Sequence, residues 1–184
     1  MSVWRLIYLN EFDGYWNMAI DEAMLLMRSQ GKIPNTLRLY IFKPSAVTIG
    51  YFQSAEEEVN LDFCRKHGIE VVRRITGGGA VFHDENGEIT YSIVVGLSEA
   101  PRDILKSYEL YCKGIVYALE ELGLKAEFKP INDVIVYGRK ISGSAQTRKR
   151  RVLLQHGTFM YNLSLIHISE PTRPRLISYA VFCL

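Results

Sequence analysis

The sequence predicts an α+β fold: a mostly antiparallel sheet with flanking helices. Three observations carry this expectation. Strand patterns follow one another in consecutive runs, only two segments show long helical periodicity, and no repeat, low-complexity stretch or linker divides the chain.

The opening VWRLIYLN alternates as a strand does. A helix is expected from about Tyr15 to Ser29, with Trp16, Ile20, Ala23, Met24 and Met27 on its apolar stripe and with Gly31 and Pro34 stopping it. TLRLYIF and AVTIG read as two short strands broken by the turn residues Lys43, Pro44 and Ser45. Leu61 to His67 fits a short helix ended by Gly68, and IEVVRR is a strand entering a glycine-rich turn. AVFH and EITYSIVVG are expected to pair across Asp84 to Gly87, because Asn86-Gly87 favours a hairpin. The clearest helix runs from about Asp103 to Leu122. Its stripe is Ile104, Tyr108, Tyr111, Ile115, Ala118, Leu119 and Leu122, and Gly123 caps it. KAEFK, DVIVY, KISGSA and VLLQHGTFMYN then return to strand.

The end of the chain has a different character. Leu163 to Arg173 (LSLIHISEPTR) and Ile177 to Leu184 (ISYAVFCL) match the in-frame translation of the two constant parts of a DNA-sequencing library adaptor, with Pro174, Arg175 and Leu176 as the variable index. The expectation is one domain over residues 1–162, incomplete at its C-terminus, followed by a foreign tail over 163–184. The formal net charge is +2, of which Glu170, Arg173 and Arg175 supply +1, so the remainder is too near neutral for bulk nucleic-acid binding. About 160 residues make one domain that buries roughly 68–70% of its extended surface. No apolar run reaches the ~18 residues of a membrane span, and Met1 to Asn10 lacks a signal-peptide pattern. Outside the tail the cysteines are Cys64 and Cys112, both within helical patterns, which makes no disulfide framework and points to the cytoplasm.

Two motifs carry the chemistry: RRITGGGAVFHD, from Arg73 to Asp84, and NDVIVYGRKISGSAQTR, from Asn132 to Arg148. Three consecutive glycines strip every Cβ from one turn, so backbone N–H groups come into direct contact with a ligand. They cost about 2–3 kcal/mol of extra ordering entropy relative to alanines, more than a plain turn warrants. Neither a P-loop nor a dinucleotide fingerprint fits this spacing. Arg73 and Arg74 are adjacent on a strand, so only one can face the ligand; His83 is either a ligand contact or a satisfied core residue. His67, His83 and His156 lack zinc-ligand spacing. Gly138 and Arg139 read as a turn that places Lys140 at the start of the returning strand. The small residues Ser142, Gly143, Ser144 and Ala145 leave room for a ligand beside it. Asp133 lies across the same hairpin, where it orients the lysine or holds a magnesium ion. Arg148 to Arg151 is a solvated hairpin tip or a recruiting patch for an acidic protein.

At these motifs, together with NMAIDE, TIGYFQ and HGT, the chain resembles the lipoate–protein ligases of the biotin/lipoyl protein ligase family, over the span up to about Asn162. The resemblance implies the α+β catalytic fold shared with biotin ligases and class II aminoacyl-tRNA synthetases. It implies that Arg74 and the stretch Gly77, Gly78, Gly79, Ala80, Val81, Phe82 and His83 bind the ligand, and that Lys140 is the essential lysine. The Asn132-Asp133 pair is the ligase version of its segment. The implied reaction joins lipoate or octanoate to ATP as an acyl-adenylate and passes the acyl group to a lysine of an acceptor domain. Acceptors of this kind are the acyltransferase subunits of 2-oxo-acid dehydrogenases and the glycine-cleavage H protein, and a separate accessory ligase domain is a further partner. Cysteine-dependent octanoyltransferases of the same fold share GYFQ, GRK-x-x-GSAQTR and QHG, and place their nucleophile shortly before GRK. Here that segment is GLKAEFKPIND, without cysteine. Other octanoyltransferases carry their cysteine further along, past the position of Asn162, with a different glycine motif. A third alternative is an inactive ligand-binding fragment.

Overall fold

The structure is a computed structural model that describes residues 3–162. β1 (Trp4–Phe12) leads into α1 (Gly14–Ser29), β2 (Asn35–Phe42) and β3 (Ala46–Ile49). The short helices α2 (Ala55–Glu58) and α3 (Leu61–Lys66) precede β4 (Glu70–Arg73), β5 (Val81–His83) and β6 (Glu88–Gly96). α4 (Ile104–Glu121) follows, then β7 (Ala126–Lys129), β8 (Asp133–Val136), β9 (Arg139–Lys149) and β10 (Val152–Met160). Seven strands form one sheet in the order β1-β2-β6-β10-β9-β8-β7, and three form another in the order β4-β3-β5. Among the described residues only β1 with β2 and β3 with β4 pair in parallel, so the expected mostly antiparallel α+β fold is what forms. The foreign-tail expectation concerns residues outside those described.

Period-two alternation gives the large sheet two buried faces. On one, Val94, Val152 and Leu154 pack with Met24 and Leu25 of α1. On the other, Tyr91, Ile93 and Val95 meet Tyr111 and Ile115 of α4, while Cys112, Val116 and Leu119 meet Val134 and Ile141. The small sheet joins the α1 side, where Met18, Tyr40 and Phe42 pack with Ala46 and Val72.

Four sequence expectations are corrected. α1 buries Gly14, Asn17, Met18, Asp21, Met24 and Leu25, whereas Trp16 is 62% exposed. The helix is turned to place Asn17 and Asp21 inside, because Arg38 reaches both: Nη2 donates to Asn17 Oδ1, and Nη1 donates to Asp21 Oδ1 at 3.1 Å. α4 likewise buries Ser107, Cys112, Val116 and Leu119, leaving Ile104 and Leu122 exposed. Arg148 fixes that orientation by donating to Pro101 O at 2.9 Å, Arg102 O at 2.6 Å and Ser107 Oγ at 2.9 Å, so it is no solvated tip residue. Finally, β5 pairs with β3 rather than β6. Asp84 Oδ1 accepts from Asn86 N at 2.7 Å, closing a turn that carries the chain from the small sheet to the large one.

Candidate active site

The triple glycine turn is built between β4 and β5 and held by the end of β3. Arg74 N donates to Ile49 O at 3.0 Å and Tyr51 N to Thr76 O at 2.9 Å. A Cβ on Gly50 would stand 2.0 Å from Gly78 O, so glycine is required there for the two backbones to approach. Gly78 itself has φ +98°, a conformation that L side chains rarely adopt. A Cβ on Gly77 would meet nothing within 4 Å, so this part of the turn borders open space.

Arg73 and Arg74 do point apart. Arg73 Nη1 donates to Gly50 O at 3.0 Å and Gln53 O at 2.6 Å, pinning the neighbouring turn. Arg74 is buried, and all its guanidinium nitrogens go to protein. Nη2 donates to Gly77 O at 2.8 Å and Gly79 O at 2.7 Å, Nη1 to Thr48 O at 3.1 Å, and Nε to Thr76 Oγ1 at 3.1 Å. These bonds shape the turn. Burial pulls its pKa down to about 10, which leaves it charged at neutral pH.

The remainder of the motif turns inward. Ala80 and Phe82 join the core of the small sheet, and Val81 between them is half-buried. His83 is enclosed, with Nε2 2.9 Å from Thr48 Oγ1, Nδ1 2.6 Å from Glu88 Oε1, and Phe42 stacked on its ring at 4.0 Å. Of its two open readings, the satisfied core histidine is the one that forms.

Sequence reasoning missed Asp21 and His156. His156 Nδ1 lies 3.0 Å from Asp21 Oδ2, and Nε2 lies 2.7 Å from Thr76 Oγ1, directly beneath the glycine turn. The available signal was a pair of polar residues four apart, Asn17 and Asp21, amid the apolar positions of α1. Burial opposes ionisation of Asp21. The His156 contact, Arg38 and the Ser92 hydroxyl outweigh it and hold the carboxyl below its usual range. Burial also holds His156 below the ordinary imidazole value, helped by the charges of Arg74 and His83 and opposed by Asp21. His156 is thus neutral. A base depressed by folding adds stability above its unfolded pKa of about 6.5 that is lost as pH falls through that value, because the unfolded chain then binds the proton. Tm is expected to fall between about pH 7.5 and 5.5 in wild type, and less steeply in His156→Gln. A flat wild-type profile in thermal melts would contradict a neutral, buried His156.

Lys140 sits on β9 opposite Ile135 of β8. The preceding turn is Tyr137-Gly138, with φ 50° and 76°, so Arg139 already belongs to the strand. Lys140 Nζ pairs with Asp133 Oδ1 at 2.8 Å, with 18% and 27% of the side chains exposed. A Cβ on Gly143 would stand 2.8 Å from Lys140 Cε and 2.9 Å from Nζ, so the lysine lies across a floor that glycine leaves clear. Gly143→Ala is expected to keep the fold, since the obstructing atoms end a flexible side chain, but to displace the ammonium. That displacement is expected to lower turnover about 10-fold or more, with a shift in Tm below about 2 °C. Single-turnover kinetics at wild-type rates would rule out this placement.

The two serines go elsewhere, which corrects the expectation that both flank the ligand beside Lys140. Ile141 is an extra residue in β9, since the register steps from Lys140 to Ser142 while β8 advances by one. Strict alternation would put Ser142 and Ser144 on Lys140's face; the bulge reverses the parity and leaves Gly143 there. Ser144 Oγ lies 2.7 Å from Tyr91 OH and 3.6 Å from Cys112 Sγ of α4. Ser142 Oγ is buried and has no hydrogen-bond partner among the described residues. Asn132 Nδ2 donates to Ser144 O, tying down the loop that presents Asp133. Asp133, the candidate magnesium ligand, is paired with Lys140, and among the described residues no group of three acidic, histidine or cysteine residues could hold a metal ion by itself.

Register brings the two motifs to one face. His156 of β10 is opposite Ala145 of β9, and Thr76 bonds to His156. The glycine turn therefore overlies the face to which Ala145, Gly143 and Lys140 belong. Gly143 is two residues from Ala145, about 6.6 Å along the strand.

The profile of the lipoyl protein ligase A/B catalytic domain matches residues 13–176. The chain is 35% identical over 209 residues to a relative named octanoyltransferase LipM from Brevibacillus brevis, covering 96% of this chain and 75% of that one. Among solved structures it is similar to a bipartite lipoate protein ligase from Thermoplasma acidophilum, described with its E2 lipoyl domain. The TM-score is 0.77 at 31% identity, over 95% of this chain and 69% of the other. It is also similar to a lipoate-protein ligase A bound with ATP, with TM-score 0.73, 35% identity, and coverage of 90% and 69%. Glycine turn, hairpin lysine and α+β sheet thus coincide with a match over most of the sequence, and the chain belongs to the lipoyl protein ligase A/B catalytic domain family.

Proposed function

We propose that this chain is a lipoate–protein ligase: it activates lipoate or octanoate with ATP and transfers the acyl group to a lysine of a lipoyl-acceptor domain. The observation that carries this reading is the Lys140–Asp133 pair on the face beneath the glycine turn, where no thiol is placed among the described residues. In the first step a carboxylate oxygen bonds to the α-phosphorus of ATP and pyrophosphate leaves. Two unit charges 4 Å apart repel by about 4 kcal/mol at an effective dielectric of about 20, so a cation between them is needed. Lys140 supplies it, released from Asp133 as the anions enter. Backbone N–H groups of the glycine turn meet the phosphate, and proximity supplies much of the rest. In the second step the acceptor amine forms the amide and AMP departs. The acceptor is a domain such as those of 2-oxo-acid dehydrogenase acyltransferase subunits or the glycine-cleavage H protein. A separately encoded accessory ligase domain is a further partner in this reading.

The relatives named octanoyltransferase support a second reading, in which octanoate passes from an acyl-carrier thioester to an enzyme thiol. Its difficulty is geometric. Cys112 lies on the α4 face beside Ser144 and Gln155, and burial raises its pKa and keeps it protonated. Pyrophosphate release that needs both lipoate and ATP supports the ligase. Acyl transfer from octanoyl-carrier protein without ATP would replace it with the transferase.

A further inference from the structure

Arg74 is served by two hydrogen-bond chains of the same composition. From Nε one runs through Thr76 Oγ1 at 3.1 Å and His156 Nε2 at 2.7 Å to Asp21 at 3.0 Å. From Nη1 the other runs through Thr48 Oγ1 at 3.2 Å and His83 Nε2 at 2.9 Å to Glu88 at 2.6 Å. All six residues are buried. We propose that these two threonine–histidine–carboxylate chains position the Arg74 guanidinium, and through it the glycine turn, for ligand binding. The proposal rests on the reading of the glycine turn as a ligand-binding element but not on whether ATP or a thioester supplies the acyl group.

The direction of each chain follows from chemistry. A carboxylate only accepts, so each Nδ1 carries a proton; in the neutral His156 ring Nε2 accepts from the Thr76 hydroxyl, and the Thr48 hydroxyl bonds to His83 Nε2 in the same geometry. Each hydroxyl oxygen presents a lone pair to the arginine. Two such oxygens, together with Thr48 O, fix the plane of the guanidinium, leaving Nη2 aimed at Gly77 O and Gly79 O. Both carbonyls of the bend are then turned toward Arg74. The carboxylates stand two residues away from Arg74, and each chain crosses from the small sheet or its turn to the large sheet or α1, so the turn is referenced to the whole domain.

Thr76→Val and Thr48→Val keep shape and remove only the hydroxyl, and Thr76→Ser and Thr48→Ser restore it. The valine variants are expected to raise KM for lipoate and ATP about 10-fold or more, and the serine variants to return it to within about 3-fold of wild type. Amide hydrogen exchange, read without turnover, is expected to quicken at residues 75–79 in Thr76→Val while β6 and β10 stay protected. Wild-type exchange and KM in both valine variants, or serine variants no better than valine, would overturn the proposal. Absent pyrophosphate release by wild type would instead count against the ligase reading, with the exchange experiment still deciding this one.

Discussion

Replacing Lys140 with alanine is expected to lower acyl-adenylate formation by about 10²–10³-fold or more, the range seen when one preorganised charge-stabilising group is removed. The loss is expected in turnover more than in substrate affinity, because the ammonium matters most as charge shifts onto the α-phosphate. The fold is expected to survive. Asp133 is 27% exposed, and loss of the lysine side chain opens its buried Oδ1 to water. Lys140→Arg is not expected to rescue, since a planar fork does not replace a compact ammonium lying against Gly143. Pyrophosphate release at the wild-type rate by Lys140→Ala would remove the lysine from the chemistry.

Asp21→Ala is expected to carry the largest stability cost of the simple substitutions. Asp21 is 1% exposed and receives Arg38 Nη1 at 3.1 Å, Ser92 Oγ at 2.8 Å, Tyr40 OH at 3.0 Å and His156 Nδ1 at 3.0 Å. Removing one partner of a buried pair leaves the Arg38 guanidinium without a counter-charge, which costs about 3–5 kcal/mol. For a domain of this size that lowers Tm by roughly 10 °C or more. Denaturant unfolding is the direct check: a loss under about 1 kcal/mol would mean that Asp21 does not carry the junction between α1, β2, β6 and β10.

These two residues show what the sequence discloses and what it hides. Lys140 was legible because it interrupts a strand pattern amid small residues, a local signal. The glycine turn was legible for the same reason: three missing side chains need no knowledge of neighbours. Asp21 was hidden. On a helix, hydrophobic counting assigns Trp16 and Met27 to the interior, and only the arrival of Arg38 and His156 from distant strands makes a carboxylate the better occupant. The sides taken by Ser142 and Ser144 were hidden too. A single extra residue, Ile141, reverses strand parity, and nothing in the residue types announces a bulge. The β5–β6 hairpin failed because Asn86-Gly87 specifies a turn without specifying that the flanking strands pair with each other. Local geometry was readable, and long-range partner choice was not.

The central claim is that one face of β9, roofed by the glycine turn, holds the acyl-nucleotide. The most direct measurement is a crystal structure with a stable lipoyl-adenylate analogue. The expected result has the ligand between the turn and the β9 face, Lys140 Nζ within about 3.2 Å of an acyl or phosphate oxygen, and its pairing with Asp133 loosened. A ligand seated on the α4 face against Cys112 and Ser144, or Lys140 out of contact with it, would contradict the claim.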